Sequence, residues 1–171
     1  MVYPIDTERV TPDFLTWKSF PSSLKLENVT EPVSYVWPTL AEGVPVTPSK
    51  PLRVEVYAKQ VDSSLYHSGV RVDAWTGEKW YYAVGWLEFF GTFNWKKFVV
   101  TSNPVQMDAK ALKVMIFALG PKGKTTWYDD LRIYQDDILI YENKFTGLWP
   151  LTSVIAPIAT GLGVVRLRKK G

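Results

Sequence analysis

The chain has 171 residues, 46% of them hydrophobic and 15% aromatic, with eight Trp, nine Tyr and eight Phe. That is enough apolar material for one packed domain, and it excludes wholesale disorder. The formal net charge of +3 is gathered in the last six residues, RLRKKG, leaving 16 basic and 17 acidic groups upstream; a body without a basic stripe is not a nucleic-acid binder.

There is no Cys, and His67 is the single histidine. Disulfides, thiolate metal sites, cysteine nucleophiles and His-cluster metal sites are therefore excluded. Any Ser-His-Asp triad would have to use His67, whose neighbours in SSLYHSG (63–69) include hydroxyls but no acid to orient it. The composition points away from an enzyme.

In chain order, short runs of alternating, β-branched or aromatic residues predict strands over 23–29, 51–59, 69–75, 79–89, 94–101, 111–119, 127–134 and 137–143. Pro, Gly, Ser and Asn clusters separate them, and no long helical pattern competes. About eight antiparallel strands at this spacing make an all-β, two-sheet sandwich. Asn28-Val29-Thr30 is a glycosylation sequon that suits an external surface.

Alternation assigns faces. In PLRVEVYAK, Leu52, Val54, Val56 and Ala58 oppose Arg53, Glu55, Tyr57 and Lys59; in GVRVDAW, Val70, Val72 and Ala74 oppose Arg71, Asp73 and Trp75. Trp80, Tyr82, Val84 and Trp86 fall on one side of the next strand. ALKVMIFAL is interrupted only by Lys113, which predicts a strand covered on both sides. In WYDDLRIY, strict alternation puts Trp127, Asp129, Leu131 and Ile133 together on the core side, with Tyr128, Asp130, Arg132 and Tyr134 opposite. Adjacent carboxylates that diverge cannot form a catalytic acid and nucleophile pair. An Asp129 turned toward the core needs either backbone N–H donors from a loop or a cation.

The non-core residues of these strands mix flat rings with planar polar groups. Tyr57, Arg71, Asp73, Trp75, Trp80, Trp86 and Arg132 would suit a sugar, whose C–H face stacks on rings and whose hydroxyls bond charged groups. The same mix also suits a protein interface or plain cover.

After residue 146 the character changes, which predicts a sandwich over 1–146 and a tail over 147–171. Residues 148–165, LWPLTSVIAPIATGLGVV, carry no charge, and a helix of that length reaches about 27 Å, near the thickness of a bilayer core. Trp149 and the basic C-terminus sit where an aromatic anchor and a positive-inside signal belong. This predicts a membrane anchor with the sandwich extracellular and the C-terminus cytoplasmic; Pro150, Pro157, Gly161 and Gly163 leave a partner-held tail or an added strand as alternatives. The opening MVYPIDTERV has no apolar core of a secretory signal.

Within 91–134, Gly91, Thr92 and Trp95, then Pro104, the 112–119 strand, Gly120 and Gly123, then Tyr128, Asp129, Asp130, Leu131 and Ile133 follow one another in a recognisable order. On these residues the segment resembles the second half of the carbohydrate-binding modules attached to xylanases and cellulases, in the galactose-binding-like jelly-roll group. The match extends more loosely back to residue 11. The resemblance implies a jelly-roll fold, a glycan partner and one structural calcium held at Asp129. It departs from the family at the start, where VYPIDTERVTPDF lacks the Asn-Gly-Phe-Glu type of opening; YENKFTGLW (141–149) is closer to it but follows the sandwich. The expected function is a non-catalytic glycan-binding module displayed outside a membrane. The alternative is a structural subunit that uses the same face on neighbouring proteins of a membrane or envelope assembly.

Overall fold

Eleven strands build two sheets in the computed structural model, which describes residues 10–19, 21–27, 33–36, 39, 43–61, 67–102, 108–119 and 125–145. They are β1 (Val10–Asp13), β2 (Ser23–Glu27), β3 (Val33–Val36), β4 (Val44–Pro45), β5 (Leu52–Val61), β6 (His67–Trp75), β7 (Trp80–Phe90), β8 (Phe93–Ser102), β9 (Ala111–Leu119), β10 (Thr125–Gln135) and β11 (Ile138–Asn143). The predicted tail 147–171, the sequon at Asn28, and Pro104, Gly120 and Gly123 lie outside the described residues. No described helix is long and apolar enough to cross a membrane.

One sheet has six strands in the order β1-β2-β10-β5-β8, with β11 also on β10; the other has five, β3-β9-β6-β7, with β4 on β9. The strands pair antiparallel throughout. This is the predicted all-β sandwich. Its core includes the two alternating sets read from the sequence, Val54, Val56 and Ala58 of β5 facing Val70, Val72 and Ala74 of β6, joined by Leu24 and Leu26 of β2 and Leu112, Val114 and Ile116 of β9. Burying the Val, Leu and Ile side chains from two facing sheets stabilises the fold by about 1.5 to 3 kcal/mol each.

Three short strands, β1, β3 and β4, are not in the sequence-based prediction. Pro12 and Pro45 disguise two of them, because proline has no N–H for a ladder. Such residues are tolerated where the N–H is not needed, as on β1, which among the described residues pairs with β2 alone at the rim of its sheet.

The faces of β10 need correction. Asp130 has φ 50°, and the register against β5 shifts between Asp129 and Arg132. This β-bulge inserts one residue and inverts the alternation. Before it, Tyr128 is fully buried and its hydroxyl donates to Phe117 O (2.7 Å) and Gly69 O (3.2 Å) across the sandwich. After it, Leu131 and Ile133 are the buried residues. Trp127 and Asp129 therefore lie with Arg132 and Tyr134 on the outer side, and Tyr128 lies in the core, contrary to the strict period of two.

Candidate functional site

The two adjacent aspartates converge instead of diverging. Residues 14–19, which follow β1, reach the outer side of β10 and meet Asp129. Asp129 Oδ2 accepts the N–H groups of Lys18 and Ser19, both at 2.8 Å. Its Oδ1 accepts Ser19 Oγ (3.1 Å) and the Asp130 N–H (2.8 Å), and the same Ser19 hydroxyl reaches Asp130 Oδ1 (3.0 Å). Burial pushes the Asp129 carboxyl up to about 6, against the N–H donors of Ser19 and Lys18.

The calcium implied by the resemblance does not fit this donor set. A calcium cage needs six to eight oxygens pointing inward, whereas both oxygens of Asp129 face hydrogen-bond donors. Among the described residues no three His, Cys, Asp or Glu side chains gather around one point. The pair acts as an anchor for a loop.

The seven residues expected to share one ligand face do not share one. Tyr57 and Arg132 stand on the outer side of the six-stranded sheet; Arg71, Asp73, Trp75, Trp80 and Trp86 belong to the five-stranded sheet, across the core. The sequence makes β5, β6 and β10 look alike, but the jelly-roll connection sends β6 to the opposite layer.

On the six-stranded sheet the rings carry the protein's own cations. Lys18 Nζ lies over Tyr57 (5.2 Å), Lys59 Nζ over Trp127 (5.4 Å) and the Arg53 guanidinium over Tyr134 (4.1 Å). Arg132 Nε donates to Glu142 (2.8 Å), a bond that holds its pKa above the ordinary value. Glu55 is held by Arg53 and by Lys97 (2.7 Å).

The outer side of the five-stranded sheet is different. Arg71 sits opposite Trp86 on β7 and Met115 on β9, Asp73 sits opposite Lys113, and the Trp75 and Trp80 backbones are paired. The Trp80 side chain lies outside the described set. Trp86 is 45% exposed and its ring packs 5.2 Å from Phe117. Phe117 in turn meets His67 edge-on (6.0 Å), and His67 packs on Phe90 (5.4 Å), which is 58% exposed. His67 Nε2 is 3.1 Å from Glu88 Oε1. An aromatic strip, Trp86, Phe117, His67 and Phe90, thus runs along β6, β7 and β9. Beside it the buried Asp73 accepts from the Arg71 guanidinium at 2.9 Å, which fixes a planar donor at the surface.

Gly69 makes the strip possible. It pairs with Phe117 on β9, and a Cβ there would lie 2.7 Å from Phe117 Cζ and 2.3 Å from Leu87 O. The ring lies across the bare backbone of the glycine. Phe117, Phe90 and Glu88 are absent from the sequence-based site. Counting by twos from Lys113 puts Met115 and Phe117 on the outer side, so that signal was available; the apolar run concealed it.

No known protein-family profile matches the chain, and no curated protein sequence does. Solved structures share its fold. The Family 16 Carbohydrate Binding Module-2 superposes with a TM-score of 0.58 at 11% identity, over 74% of this chain and 85% of its own. The CBM22-1 and GH10 modules of the N-terminal endo-1,4-β-D-xylanase 10B of Clostridium thermocellum, complexed with xylohexaose, give 0.53 at 10% identity, over 78% of this chain but 25% of that larger one. A xylan-binding domain of CBM 22 gives 0.50 at 14% identity, over 77% and 84%. At such identities the likeness establishes the fold: the chain has the jelly-roll β-sandwich of carbohydrate-binding modules.

Proposed function

We propose that this chain is a non-catalytic glycan-binding module, held at the outer surface of a membrane by its 148–165 segment, with the sugar lying on the outer face of the five-stranded sheet. The observation that carries the reading is the exposed Trp86 ring, braced from beneath by Phe117 and flanked by the Arg71 and Asp73 pair. A braced ring offers a rigid platform for the C–H face of a pyranose, and the guanidinium offers directed donors to its hydroxyls. Trp75, on the same strand face as Arg71, extends the platform. Tyr57 and Arg132, on the other sheet and engaged with Lys18 and Glu142, are not part of it. A β-1,4-linked polysaccharide of the xylan kind is the substrate class to try first, since xylan and xylohexaose are what the similar structures carry in their names.

The test is binding of xylohexaose by calorimetry. A half-exposed Trp leaves on the order of 100 Å² for the sugar to cover, about 2.5 kcal/mol. Trp86→Ala should therefore weaken binding by roughly 50-fold while the melting temperature holds. Equal binding by variant and parent would end the reading. The exposed Phe90 at the end of the strip favours a second use, contact with a neighbouring subunit of a membrane or envelope assembly. In that case Trp86→Ala would disrupt the assembly, and no glycan would bind the parent.

A further inference from the structure

We propose that the 14–17 loop is a lipid-contact surface that seats the sandwich on the bilayer through its six-stranded sheet, turning the aromatic strip of the other sheet away from the membrane. The inference rests on the membrane-anchored reading and adds the orientation, which that reading leaves open.

Leu15 is 92% exposed and Phe14 55%, and Trp17 beside them is also exposed. A mobile loop could fold such residues away, but this one is fixed in place. Asp13 Oδ1 accepts the N–H groups of Leu15 (2.8 Å) and Thr16 (3.0 Å), and Asp13 Oδ2 accepts Trp127 Nε1 (2.7 Å). Asp129 holds Lys18 and Ser19, and the Ser23 hydroxyl donates to Thr16 O. Two large aliphatic and aromatic side chains are thereby held out in water on a rigid support, an arrangement whose exposure cost is recovered only by something apolar.

What covers them follows from where the chain leaves the sandwich. β2 pairs with residues 125–128 of β10 and β11 with residues 131–135, so the start of β2 and the end of β11 meet near the middle of that strand. There the Ser22 hydroxyl donates to Phe145 O, next to the Ser23 contact with Thr16. The uncharged run begins at Leu148, three residues later, and three residues extend at most about 10 Å. A membrane entered by that run therefore lies beside the loop. Lys18, next to the loop in sequence, and Lys144, next to Phe145, are both exposed, and cations so placed favour a surface that carries phosphates.

The absence of Cys from the chain allows a direct test. The full chain is reconstituted in phosphatidylcholine vesicles with a single cysteine, Leu15→Cys or Glu78→Cys, carrying an environment-sensitive fluorophore. Glu78 lies in the turn between β6 and β7, on the other sheet. Lipids with a shallow nitroxide should quench the label at position 15 at least roughly threefold more than that at position 78, as an interfacial contact requires. Equal quenching, or stronger quenching at 78, in protein that floats with the vesicles overturns the proposed orientation while the anchor stands. Failure of the full chain to float with the vesicles overturns the anchor and this inference with it.

Discussion

Gly69→Ala is the substitution with the clearest calculable consequence. The added methyl would lie 2.3 Å from Leu87 O and 2.7 Å from Phe117 Cζ, both inside any real contact distance. Leu87 O belongs to the β6 and β7 ladder and cannot retreat without bending β7, while Phe117 can retreat only by leaving the Trp86 ring. Overpacking of this kind costs about 1 to 3 kcal/mol, and the displaced aromatic pair about 0.5 to 1.5 more. A loss of about 2 to 4 kcal/mol lowers the melting temperature of a domain this size by roughly 5 to 15 °C. Thermal unfolding followed by circular dichroism reads the shift. Phe117→Leu removes the ring that the methyl meets, so the Gly69→Ala and Phe117→Leu double variant should lose less than the sum of the two singles. A Gly69→Ala protein melting within about 1 °C of the parent, or strictly additive losses in the pair, would refute the packing argument.

Other expectations follow from the same contacts. The Asp129 carboxyl, pushed to about 6 from its ordinary 3.8 by burial, holds its proton more tightly in the fold than in the unfolded chain. Its contribution to stability is thus full below about pH 4 and lost as the pH rises through about 6. The stability difference between the parent and Asp129→Ala, from urea midpoints, should shrink between those values; a difference independent of pH would contradict it. Tyr128→Phe removes the hydroxyl that bonds Phe117 O and Gly69 O in the core and should cost about 1 to 2 kcal/mol, with an unchanged midpoint counting against that role. Chelation with EDTA should leave the melting temperature within about 1 °C, because Asp129 is occupied by N–H donors; a drop of several degrees would reveal a bound cation.

The sandwich was legible because its strongest signal is local. Val54, Val56 and Ala58, or Val70, Val72 and Ala74, alternate with polar neighbours whatever the rest of the chain does, and each set is buried as that alternation requires. The site was legible only in part. Arg71, Asp73 and Trp86 do come together, but Tyr57 and Arg132 stand on the other sheet, and polar faces of different strands look alike in sequence. The β10 faces depart from strict alternation at a bulge that leaves no compositional mark: Asp130 adopts a left-handed conformation that Asp tolerates without announcing it.

Residue order alone settled which side chains of each ordinary strand face inward, since side chains on extended backbone point alternately to two sides by covalent geometry. It also settled the uncharged run at 148–165 and the absence of thiol chemistry. Which strands became neighbours was decided only by tertiary structure, because sheet pairing joins residues far apart in the chain and depends on the whole set of competing partners. That pairing put Phe117 over Gly69, Ser19 between two aspartates, and the 14–17 loop beside the point where the chain leaves the sandwich.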